Sequence, residues 1–122
     1  MWIPFRGMRE RAAASNLVDY LFEKEAQSFG SGFKVAAKSR GMIQVSLGAA
    51  DEKRRAEVTN DLIRHVEGTV LKGHVEVKPE ETRGDQTINI VPAAGSKRGK
   101  PIFNRLFELV LSRKNKQATK RA

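Results

Sequence analysis

Residues 42–67 read MIQVSLGAADEKRRAEVTNDLIRHVE, and within them the spacing of the apolar side chains changes. Ile43, Val45 and Leu47 alternate with Gln44 and Ser46, the period of two that turns one face of a strand toward a core. After Asp51 the step becomes three and four: Ala56, Thr59, Ile63 and Val66, flanked by Leu62, form the stripe of an amphipathic helix. Asp51 is suited to cap that helix, and Asp51 and Glu52 sit where the helix dipole favours acids. Gly68 is expected to end it.

Working outward, Phe33 to Lys38 alternates in the same way and predicts a partner strand, with Ser39-Arg40-Gly41 as the hairpin loop. Upstream, Ala14, Leu17, Val18, Leu21 and Phe22 recur at helical spacing and predict a helix from Met8 to about Phe29, ended by Gly30-Ser31-Gly32. Downstream, Val70 to Lys78 predicts a third strand with Gly73 as a bulge, ended by Pro79. A polar loop, Glu80 to Gln86, then leads to a fourth strand, Thr87 to Val91. The order α–ββ–α–ββ–α predicts an α+β fold: a small antiparallel or mixed four-stranded sheet with helices on one face.

The expected organisation is a core domain over 1–92, a linker over 93–100 (AAGSKRGK), a basic amphipathic helix over 101–114 and a disordered basic tail over 115–122. Pro101 suits a first helical position. Phe103, Leu106, Phe107 and Val110 share one face of the helix it opens. At 122 residues, 39% hydrophobic and 30% charged, the chain suits one folded domain. Cysteine is absent, which excludes disulfides and thiolate metal sites and fits a reducing compartment. No apolar run approaches the ~18–20 residues that span a bilayer. The start has no apolar core of a secretory signal, so a cytoplasmic location is expected.

Catalytic signatures are missing. His65 and His74 fall on different elements, and no H-E-x-x-H spacing supports a metal site. The glycine-rich Gly30-Ser31-Gly32 and Gly95-Ser96-Lys97 match neither phosphate-loop pattern, and there is no G-x-S-x-G elbow. Arg83-Gly84-Asp85 spells an adhesion tripeptide but reads as a turn. No enzyme activity, cofactor or metal is expected.

Charge is the informative signal. The formal net charge is +9, and it is lopsided: from Ser96 to Ala122 nine basic residues stand with one acid, Glu108, while the rest of the chain is nearly neutral. A concentrated cationic segment attracts polyanions by Coulomb attraction and counterion release. The expected function is therefore that of a non-enzymatic accessory protein contacting the phosphate backbone of RNA or DNA. Lys97, Arg98, Lys100, Arg105, Arg113, Lys114 and Lys116 are the expected contacts, with Lys34, Lys38 and Arg40 of the first hairpin as a second cluster. The third and fourth strands carry no aromatic residue, so base stacking on the sheet is not expected.

An alternative uses the amphipathic termini. Trp2 and Phe5 beside arginines, and Phe103 and Phe107, could meet an anionic membrane surface or an acidic protein partner. Trp2 and Phe5 could equally plug the core. An exposed strand edge also makes a homodimer an option.

Part of the chain resembles MinE, the bacterial cell-division topological specificity factor. Met1 to Arg11 is similar to that family's membrane-targeting start, Ile43 to Leu47 to its first strand, and Asn60 to Val66 to its helix. His74 to Lys78 and Thr87 to Pro92 are similar to its last two strands. The resemblance implies a dimeric, membrane-cycling regulator of an ATPase. The strand around Val35 and the basic C-terminal helix depart from the family.

Overall fold

The computed structural model describes residues 5–28, 32–38, 41–49 and 51–121. Trp2, Phe29, Ser39 and Arg40 lie outside these residues, as does the Phe5 side chain. The elements are α1 (Phe5–Gln27), β1 (Lys34–Lys38), β2 (Met42–Ser46), α2 (Glu52–Glu67), β3 (Val75–Thr82), β4 (Asp85–Pro92) and α3 (Gly99–Arg121). The predicted α–ββ–α–ββ–α order is the observed one. The sheet is antiparallel throughout, in the order β1-β2-β4-β3.

Register follows from alternation. Val35 pairs with Val45 and Val45 with Ile88, while Ile43 pairs with Ile90 and Ile90 with Val77. These residues share one face, and the three helices pack on it. Ala14, Leu17, Val18 and Leu21 of α1, Leu62 and Val66 of α2, and Phe103, Leu106 and Val110 of α3 close a single core. Burying each such side chain contributes roughly 1.5–3 kcal/mol.

Asp51 caps α2 as its position suggested, accepting the Arg54 N–H at 2.8 Å, and the Gly68 N–H donates to the Arg64 carbonyl. The buried stripe of α2 is Thr59, Leu62 and Val66, while Ala56 is exposed and Ile63 only half-buried. Leu62, not its neighbour, sits at the centre of the stripe.

The third strand is shifted relative to expectation. Residues 69–74 form turns instead, with Gly73 at φ +81° and Leu71 fully buried, and β3 begins at Val75. Pro79 lies inside β3 because β3 is an edge, where one missing N–H breaks no ladder bond. The polar loop predicted over 80–86 is mostly strand. β3 and β4 stay paired to Thr82 and Asp85, and Arg83-Gly84 closes a two-residue turn with φ of 53° and 84°. Positive φ at both central positions gives the turn whose twist matches the strands it joins.

The linker is a packed connection. The Ala93 N–H donates to the His74 carbonyl at 2.9 Å, and His74 Nδ1 lies 2.6 Å from Ser96 Oγ. A Cβ at Gly99 would fall 2.9 Å from the His74 carbonyl oxygen, so only glycine fits there. The last helix also runs beyond the predicted 114, to Arg121. Lys, Gln and Ala there are good helix formers, and Lys114 and Gln117 are tied to α1.

Candidate nucleic-acid interface

α3 lies on the sheet and beside α1. Phe103 is 1% exposed, and Phe107 is half-buried with its ring 6.2 Å from that of Phe103. Of these two candidates for a membrane or partner contact, Phe103 is spent on the core, while Phe107 packs against it with part of its ring still exposed.

Three ion pairs join α3 and the residue just before it to α1: Arg98 with Glu10, Arg113 with Asp19, and Lys114 with Glu25. They occur in the same order along both helices, so the helices run in the same direction. Arg98 is gripped by both carboxylate oxygens, with Nε at 2.8 Å from Oε1. This grip pushes the already high Arg98 pKa further up.

Glu25 is the busiest of the three acids. It accepts the backbone N–H of Val35 at 2.7 Å, Lys114 Nζ at 2.9 Å and Gln117 Nε2 at 3.2 Å. Burial works to raise its pKa, but the Val35, Lys114 and Gln117 hydrogen bonds outweigh it and hold the carboxyl below its usual value. Lys114 and Arg113 also lie over the Phe22 ring, at 5.5 and 5.8 Å from its centroid. Two of the cations expected to meet a ligand, Arg113 and Lys114, are thus engaged within the protein.

The picture differs at the other end of α3. A groove of about 270 Å³ opens between the starts of α1 and α3, lined by Gly7, Glu10, Arg11, Arg98, Pro101, Ile102 and Arg105. Arg9, Arg11, Lys97, Lys100 and Arg105 are exposed and pair with no acid among the described residues. Neither helix carries an acid in its first turn. The positive ends of two helix dipoles therefore add to the arginines instead of being neutralised. Glu10 is the acid of the groove, and it holds Arg98.

Of the expected contacts, this end gathers Lys97, Arg98, Lys100 and Arg105. Lys116 is exposed further along α3. Lys34 and Lys38 lie at the β1 edge on the sheet face opposite the helices, apart from the groove. Arg40 lies outside the described residues. The sequence reading missed Arg9 and Arg11 as partners of α3; the signal was their close spacing in a helix without an opening acid.

A second groove, of about 310 Å³, lies between α1 and α2 and mixes Lys24 and Arg54 with Asp61. Tyr20 on its wall stacks on His65, with ring centroids 4.7 Å apart. Burial, then the nearby Asp61, raise the Tyr20 pKa against the opposing effect of Arg64. Its lining has two cations to one acid, against three to one in the first groove, and so suits a polyanion less well. Among the described residues, no group of three or more His, Asp or Glu is placed to hold a metal ion, and no helix is long and apolar enough to cross a membrane. No family model, curated protein or solved structure matches this chain.

Proposed function

We propose that this is a non-enzymatic, cytoplasmic accessory protein that binds RNA or DNA through phosphate contacts at the shared N-terminal end of α1 and α3. The observation that carries the reading is the gathering of Arg11 and Arg105 on one groove, with Arg9, Lys97 and Lys100 in the neighbouring turns and Arg98 held by Glu10 between them. Such a cluster neutralises several phosphates and releases their counterions, which gives affinity with little sequence preference. Arginine suits the task because its planar fork meets two phosphate oxygens at once.

The test is binding of a labelled 20-nucleotide RNA and a DNA duplex across a salt series. Affinity is expected to fall steeply with salt, and the Arg11→Gln/Lys100→Gln/Arg105→Gln variant is expected to lose most of it. Equal binding by that variant and the native protein would overturn the reading. Retention on anionic vesicles with no affinity for either nucleic acid would move the function to a membrane surface.

A further inference from the structure

The sheet has a second face, against which no described element packs. β1 contributes Lys34, Ala36 and Lys38 to it; β2 gives Met42, Gln44 and Ser46; β4 gives Thr87, Asn89 and Val91; and β3 gives Glu76, Lys78 and Glu80. The register sets these side chains in three rows across the strands. One row is Lys34, Ser46, Thr87, Glu80; the next is Ala36, Gln44, Asn89, Lys78; the last, with the β2–β4 register continued by one position, is Lys38, Met42, Val91, Glu76. The two ends of each row differ in charge or size, while the middle is small or neutral. Thr87 and Asn89 are only 4% and 7% exposed. Gln44 donates to Asn89 and Asn89 to Glu80, so the centre is already hydrogen-bonded within the chain.

From this pattern we infer that the open face docks on the same face of a second copy, around a two-fold axis running along the strands between β2 and β4. Such an axis keeps each row at its own level and reverses its order. Lys34 then faces Glu80 of the other copy and Lys38 faces Glu76. Ala36 leaves room for the long Lys78 chain. Ser46 meets Thr87, Gln44 meets Asn89, and Met42 meets Val91. The alternative axis, across the strands, would set Lys34 against Lys38 and Glu76 against Glu80, so like charges exclude it. Packed sheets cross at about 30°, and the reach of Lys and Glu side chains absorbs the resulting drift at the corners.

The strength of the contact follows from its size and chemistry. Four strands span about 14 Å across the hydrogen-bonding direction, so the patch is smaller than a standard stable interface. Its charged pairs lie at the rim. The dimer is therefore weak, salt-sensitive and populated at high protein concentration. It uses neither of the two grooves and leaves the cationic ends of α1 and α3 free, so it stands independently of the proposed nucleic-acid binding.

The experiment is sedimentation equilibrium of the full chain, free of nucleic acid, from 10 µM to about 1 mM in low salt. A reversible dimer weakened about tenfold or more by 0.5 M salt is expected. Zero-length carbodiimide coupling should join Lys34 to Glu80 or Lys38 to Glu76, because within one copy these residues sit at opposite edges of the sheet and cannot be coupled. The Lys34→Glu/Lys38→Glu variant and the Glu76→Lys/Glu80→Lys variant should each fail to self-associate, yet pair when mixed. A protein that stays monomeric throughout overturns the inference, as does a dimer with none of these cross-links. Unchanged self-association of the Lys34→Glu/Lys38→Glu variant, with loss of nucleic-acid binding instead, would assign the face to the polyanion and also overturn it.

Discussion

The two ends of α3 carry similar charge and have different fates. Around its start, Lys97, Lys100 and Arg105 reach solvent with no acidic partner among the described residues, whereas Arg98 is paired with Glu10. Further along, Arg113 and Lys114 are bound to Asp19 and Glu25 and lie against Phe22. A cation held by a carboxylate and an aromatic ring is an internal tie; one in open water is available to a ligand. Charge counted along a sequence therefore overstates the charge a protein can offer.

The comparison breaks most completely if α3 leaves the sheet. Leu106 is fully buried, and Leu106→Ala is expected to cost about 2–5 kcal/mol in denaturant unfolding, removing the distinction between the two ends. Next comes the free end. The Arg11→Gln/Lys100→Gln/Arg105→Gln variant should bind nucleic acid about 10–100-fold more weakly at fixed salt, with a salt slope shallower by about two to three. Its melting temperature should hardly move.

The paired end should behave the opposite way. Glu25→Gln is expected to lower stability by about 1–2 kcal/mol at neutral pH while leaving binding intact. It should also change the acid limb of the stability profile. The Glu25 carboxyl is depressed in the fold, so its contribution is present above the unfolded value of 4.5 and is lost as pH falls through the lower folded value. Stability measured from pH 6 to pH 2 should show a smaller loss in the variant. The smallest effect belongs to Arg113→Gln, a half-exposed pair with Asp19. Stability should change by no more than about 1 kcal/mol and affinity by less than about threefold. A large loss of affinity on that change would erase the difference between the ends.

How far the sequence reaches is clearest element by element. β2 and α2 were legible because alternation and helical spacing are local, and Asp51 announced the cap. The position of β3 was not, because Pro79 ends a central strand but is tolerated at an edge, and edge status depends on which strand lies beside which. The turn at Arg83-Gly84 was hidden for the same reason: Glu80, Glu81 and Thr82 look like loop until β4 is placed beside them. At the candidate interface, the cations of the C-terminal segment were visible, but their sorting was not. Glu10 lies 88 positions from Arg98 and Asp19 lies 94 from Arg113. No local pattern tells a paired arginine from a free one at such a separation.

β4 is the final strand to be made, yet it sits inside the sheet, bonded to β2 on one side and β3 on the other. A growing polypeptide cannot close its sheet until it has been synthesised to Pro92, and until then the β1-β2 hairpin waits with one flank unsatisfied. Closure depends on contacts distant along the chain, which slows folding. Messages truncated before that point would yield sticky fragments, so the cell's chaperones and proteases meet this protein's most vulnerable form during translation.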